Sequence, residues 1–140
     1  MTPVPQHLRT VTPRLVVRNG SDAIAFYAAA FGAEEIGDRV RGPQGELIHA
    51  ELRIGDAVVM ITEDVGAPDA TAKAPSPGAA VSAIMVTYWE VVDPVWDRAV
   101  AAGAEVINPL ADQFYGERGG RLRDPFGQQW MLSQRLEEQS

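Results

Sequence analysis

His49-Ala50-Glu51 is the best-equipped pair for proton transfer in this chain of 140 residues. In a strand, residues i and i+2 emerge on one face, which sets an imidazole beside a carboxylate. Those two groups have the types needed for general acid–base work near neutral pH. They can equally serve the strand itself, His49 bonding a neighbouring backbone group and Glu51 pairing with Arg14 or Arg53. Arg14, Arg121 and Arg123 are candidates of another kind. A guanidinium grips a ligand's carboxylate or phenolate through charge-assisted bonds, or else stands as a rim or surface charge. Histidines number only two, His7 and His49, and cysteines are absent. Disulfides, thiolate zinc sites, a cysteine nucleophile and any histidine-rich metal site are therefore excluded.

The bulk properties narrow the partners. A net charge of −7 argues against affinity for nucleic acid phosphates and against an anionic membrane surface. No run of about 18 apolar residues offers a membrane span. The opening MTPVPQHLRT lacks the apolar core of a signal peptide, so a cytoplasmic location is expected. An apolar fraction of 46% beside 22% charged residues is that of a globular domain.

Positioning these residues falls to a short series of elements. Val11 to Arg18 is β-branched and alternating, which predicts a strand. Asn19 and Ser21 offer N-caps for the helix AIAFYAAAF, and Gly32 supplies its left-handed end. Strands follow over Glu35 to Val40, Glu46 to Ile54 and Ala57 to Thr62, the last two joined by the Gly55-Asp56 hairpin. A second series starts with a strand over Val81 to Trp89. Asp93-Pro94 reads as cap and first residue of a helix ending at Ala102. Strands are expected over Glu105 to Asn108, near Arg121 to Arg123, and over Gln128 to Ser133. Residues 65–80, rich in Ala, Pro, Gly and Ser, read as a linker, and 1–8 and 135–140 as frayed ends.

The two series are copies. GAEEI from Gly32 returns as GAEVI from Gly103, an offset of 71 residues. Val59-Met60-Ile61 falls opposite Trp130-Met131-Leu132 at the same offset. Two echoes in one register imply an internal duplication. The expected arrangement is one α+β domain over residues 9–134, with module one at 9–64 and module two at 81–134.

The stretches AIAFYAAAFGAEE, HAELRIGD, RAVAAGAEV and RDPFGQQW, spread over most of residues 10–134, together resemble the vicinal oxygen chelate superfamily. That group includes glyoxalase I, extradiol dioxygenases, fosfomycin-resistance enzymes and bleomycin-type antibiotic-binding proteins. The resemblance implies two tandem βαβββ modules forming a half-open eight-stranded barrel around one pocket. It also implies a homodimer, with the pocket at or near the subunit contact. The family's enzymes hold a divalent metal through His, Gln or Glu on the first and last strands of each module. Here those slots fall at Thr12, Met60, Ala83 or Ile84, and Met131, none a donor for a hard or borderline cation. No metal and no cofactor are expected.

Period-two alternation assigns the faces. With Leu15, Val17, Leu52, Ile54, Val59 and Ile61 beneath the helices, the opposite face carries Arg14, Val16, His49, Glu51, Val58, Met60, Val86, Tyr88 and Met131. Phe114 and Tyr115 lie on a loop able to close over it. These residues either fill a closed core or line an apolar, aromatic site. A site of that kind suits a flat or extended apolar molecule. The expected ligand-binding set is therefore Arg14, His49, Glu51, Val58, Met60, Val86, Tyr88, Phe114, Tyr115 and Met131, with no catalytic residue assigned. The function that follows is metal-independent binding of an aromatic or apolar small molecule, as in members that sequester antibiotics. The alternatives are a glyoxalase-type lyase, isomerase or dioxygenase with its metal displaced to His49 and Glu51, and an interaction module whose pocket is filled.

Overall fold

A computed structural model describes residues 2–136. Module one runs β1 (Arg14–Val17), α1 (Gly20–Phe31), β2 (Glu34–Arg41), β3 (Leu47–Ile54) and β4 (Ala57–Glu63). Module two repeats the order with β5 (Ile84–Tyr88), α2 (Val92–Ala102), β6 (Glu105–Asp112), β7 (Glu117–Arg123) and β8 (Gln129–Arg135). Each module forms a four-stranded sheet, ordered β1-β4-β3-β2 and β5-β8-β7-β6. The first strand of each lies parallel to the last, and the other neighbours are antiparallel. The eight expected strands are thus present in two sheets, with no closed barrel among the described residues.

The helices join the modules. Asn19 caps α1, accepting from the Asp22 N–H at 3.1 Å, and Gly32 ends it at φ 67°. A side chain at Gly20 would meet Leu47 Cδ2 at 2.4 Å, so only glycine lets the helix start so close to β3. Tyr27 and Phe31 on α1 reach into module two and pack against Trp130, with ring centroids 5.4 and 4.7 Å apart. At this seam Asp124 is buried, accepting from the Tyr27 hydroxyl, from Trp130 Nε1 at 2.9 Å, and from the backbone N–H groups of Phe126 and Gln128. One core therefore serves both modules.

Several expected boundaries shift. The helix α2 begins at Val92, so Asp93 is not its cap. The amide of Val92 is satisfied instead by Gln134 Oε1 at 2.9 Å, which frees Asp93 to hold Arg118 at 2.8 Å. Pro94 then stands within the first turn, where its missing N–H costs nothing. The strand β6 runs on past Asn108 to Asp112, with register shifts flanking Asn108 that accommodate Pro109 on an edge strand. The linker is pinned rather than loose. Asp64 accepts from the Gly66 and Ala74 amides at 2.8 Å, and Arg18 donates to the Pro75 carbonyl at 2.7 Å. Of the expected frayed ends, residue 1 and residues 137–140 lie outside the described residues. His7 is held against β3, and the Leu136 amide bonds the Gly116 carbonyl at 3.1 Å.

Candidate functional site

Six side chains expected beneath the helices (Leu15, Val17, Leu52, Ile54, Val59 and Ile61) are all buried in the core. The opposite, open face of each sheet then follows from strand register. On sheet one Arg14, Met60 and Glu51 stand in one row across β1, β4 and β3. Val16 and His49 flank Thr62 in the next row. On sheet two Val86, Met131 and Arg121 form the corresponding row, with Tyr88, Ser133 and Gly119 beside it.

Sheet one's open face is largely self-satisfied. Glu51 accepts from His49 Nε2 at 2.8 Å on one oxygen and from His7 Nε2 at 2.7 Å on the other. The two flanking imidazoles, His49 above all, hold the Glu51 carboxyl below its ordinary range. Neither Arg14 nor Arg53 is its partner: Arg14 donates to the Ile48 carbonyl at 3.0 Å. The role of His7 was not legible in the sequence, because 44 residues separate it from Glu51. Val58 is 5% exposed yet lies outside the core cluster, so it contributes burial on the open face rather than open surface.

Glu51's shared carboxylate straps the N-terminal segment to β3. Because its pKa is lowered, this contribution is present above the ordinary carboxylate value and fades as pH falls through the lowered one. Glu51→Gln should therefore speed amide hydrogen exchange over residues 5–9 by about tenfold at pH 7, the scale of one charge-assisted bond. Unchanged protection would show that the segment is held by other contacts.

Sheet two's open face holds a cavity of about 340 Å³. Its lining includes Asn108, Gln113, Tyr115, Gly119, Arg121 and Met131, all from module two. Gly119 keeps this part of the face open: a Cβ there would stand 3.3 Å from the Leu132 carbonyl oxygen and in ordinary contact with Ser133 Oγ and Met131 Cε, at 3.4 and 3.8 Å. Gly120 serves the opposite face, where Trp96 packs so close that a Cβ would meet it at 2.6 Å. Of the ten expected residues, Tyr115 and Met131 line this cavity. Val86 and Tyr88 share its face on the edge strand β5, 50% and 60% exposed. Phe114 is fully exposed and packs edge-on against Tyr115, with ring centroids 5.2 Å apart. The remaining five, Arg14, His49, Glu51, Val58 and Met60, stand on sheet one. Asn108, Pro109, Gln113, Gly119, Gly120 and Arg121 complete the cavity. Of these the sequence offered Arg121 as a candidate anion-gripping residue; the others stayed hidden because the Gly119-Gly120 pair and Pro109 weaken the strand signal of β6 and β7.

The residues at the superfamily's metal slots do not suit a divalent cation. Thr12 donates its hydroxyl to the Arg9 carbonyl at 3.1 Å, and Met60, Ile84 and Met131 offer thioether and hydrocarbon. Among the described residues, no group of three His, Asp or Glu is arranged to hold a metal ion.

Paired βαβββ modules, each with an open sheet face, place the molecule in the vicinal oxygen chelate class. The chain belongs to the Glyoxalase/Bleomycin resistance protein/Dioxygenase superfamily, whose profile matches residues 6–132. A relative of Mycobacterium bovis, the uncharacterised protein Mb0911c, is 43% identical over 132 residues, which cover 91% of this chain and 84% of the relative. TioX from Micromonospora sp. ML1 is similar in structure, with a TM-score of 0.69 and 26% identity over 91% of this chain and 99% of TioX. Protein PA1353 from Pseudomonas aeruginosa shares the fold at a TM-score of 0.70 and 18% identity, covering 92% of this chain and 99% of its own.

Proposed function

We propose that this protein binds an aromatic or extended apolar small molecule, without a metal, on the open face of its second module. Sequestration of a toxic compound such as an antibiotic is the role this would serve. The observation that carries the reading is the cavity of about 340 Å³ whose lining includes Met131 and Tyr115 beside the polar Asn108, Gln113 and Arg121. A methionine floor adapts to a flat ligand, and a tyrosine edge stacks on it. Burial of the ligand gains ~25 cal/mol per Å² of apolar surface, with a few polar groups fixing its orientation. Calorimetric titration with a panel of flat aromatics tests it. Tyr115→Ala should weaken binding by ~1–3 kcal/mol through lost stacking and burial. An affinity unchanged in that variant would place the ligand elsewhere.

The second reading, metal-dependent glyoxalase-type chemistry at a displaced site, would use His49 and Glu51, which His7 joins in a hydrogen-bonded cluster that is not arranged to hold a metal. Against it, the two imidazoles engage different oxygens of the carboxylate, so proton transfer by Glu51 competes with both contacts. Stoichiometric zinc or nickel retained after dialysis and lost in His49→Ala would favour this reading over the first. The proposed assembly is a homodimer. Ile84, Val86 and Tyr88 form an exposed apolar row on the free edge strand β5, suited to cover by a second copy. Sedimentation as a monomer at micromolar concentration would contradict the dimer.

A further inference from the structure

The duplication supplies an internal comparison. Glu51 lies opposite Met60 in module one, and Arg121 lies opposite Met131 in module two, so the two occupy equivalent positions with opposite charge. Glu51 has both oxygens satisfied. Arg121 differs: its Nε is buried without a hydrogen-bond partner. Arg118 is engaged by Asp93 and Asp112, and Arg123 by Glu105 through Nη1 alone; Arg123 Nε and Glu117 Oε2 are also buried without a partner, but of these residues on β7 only Arg121 lines the cavity. One side-chain row away on the same face, Ser133 Oγ is also buried with no partner, and Gly119 leaves room above it. A buried guanidinium nitrogen without an acceptor is costly, and a protein of net charge −7 has carboxylates to spare for pairing. Leaving this one open makes sense if the ligand brings the acceptor.

We infer that Arg121 is an anion anchor, and that the cavity takes an aromatic acid: an apolar ring system over Met131 and Tyr115 with one planar oxyanion on the guanidinium. The inference rests on the binding reading above and sharpens its ligand class. A guanidinium fork matches a carboxylate or sulfonate edge with two parallel N–H···O bonds. A neutral ligand would leave the orphaned Nε–H unpaired, which disfavours it relative to the acid.

A matched pair of fluorescent probes separates charge from ring burial. 8-Anilinonaphthalene-1-sulfonate and N-phenyl-1-naphthylamine share one ring system and differ only in the sulfonate. The wild type should bind the sulfonate at least tenfold more tightly than the neutral amine. Arg121→Gln should bring that preference towards one, and Arg121→Lys should leave it in between, because the charge stays and the fork is lost. Arg135→Gln, which removes an exposed arginine outside the cavity, should keep the wild-type preference. An undiminished preference in Arg121→Gln, or none in the wild type, overturns the anchor while leaving the neutral-ligand cavity standing. If neither probe binds the wild type, the binding reading falls and the anchor with it.

Discussion

Asp124→Ala should destabilise the protein by about 3–5 kcal/mol, a fall in Tm of roughly 10–15 °C. The carboxylate collects four donors at the seam between modules: the Tyr27 hydroxyl, Trp130 Nε1, and the Phe126 and Gln128 amides. Alanine would orphan all four in a site where water does not replace them. Burial pushes the Asp124 carboxyl above its ordinary range, outweighing the hydrogen bonds that pull it down. A raised folded-state pKa means that this group's contribution is full below the ordinary carboxylate value. It declines as pH rises through the raised one. Asp124→Asn removes that ionisation but turns an amide N–H₂ towards the Trp130 N–H, at a cost of about 1–3 kcal/mol. The stability gap between wild type and Asp124→Asn should therefore narrow as pH rises through the acid range, measured by urea unfolding. A gap that stays flat or widens would show that Asp124 ionises at least as freely in the fold as outside it.

Met131→Glu should lower affinity for aromatic ligands by at least a hundredfold while leaving the fold nearly as stable as wild type. The new carboxylate would lie on the cavity floor, directly across the strand pair from Arg121. Placing a charge where apolar rings must rest costs about 3 kcal/mol of binding. Cross-strand pairing with the free guanidinium offsets its effect on folding. It would also occupy the group proposed to receive the ligand's anion. Met60→Glu makes the comparison on sheet one, where the new charge stands opposite Glu51. If the ligand sits in the second module alone, this variant should bind nearly as the wild type does. Equal loss in both variants would mean that the two sheets share one pocket, as the sequence alone suggested.

Alternation made the faces of both sheets legible, because a period of two leaves one choice once a few core residues are identified. Leu52 and Ile61 settle sheet one, and Trp130 and Leu132 settle sheet two. The duplication was legible for a similar reason, since insertions concentrate in loops and the helix-to-strand junctions at Gly32 and Gly103 keep their spacing. What stayed hidden depends on contacts between distant segments. His7 meets Glu51 only because the chain before β1 folds back over β3. Asp93 was a plausible cap until Gln134, from the far end of the chain, took the Val92 amide. The cavity escaped notice because its walls come from β6 and β7, where Pro109 and the Gly119-Gly120 pair suppress local strand signals. Sequence could list the open-face residues, but only strand order shows that Met60 and Met131 belong to different sheets.

The four methionines make the central claim directly measurable. Met131 lines the cavity, Met60 lies on the open face of sheet one, and Met85 packs against the core. Methyl NMR of methionine-labelled protein, titrated with N-phenyl-1-naphthylamine, would report on each location at once. The Met131 methyl should shift progressively and saturate, with Met60 and Met85 nearly still. Saturating shifts at Met60 without Met131, or no shift at Met131 at any soluble concentration, would contradict a binding site on the second module.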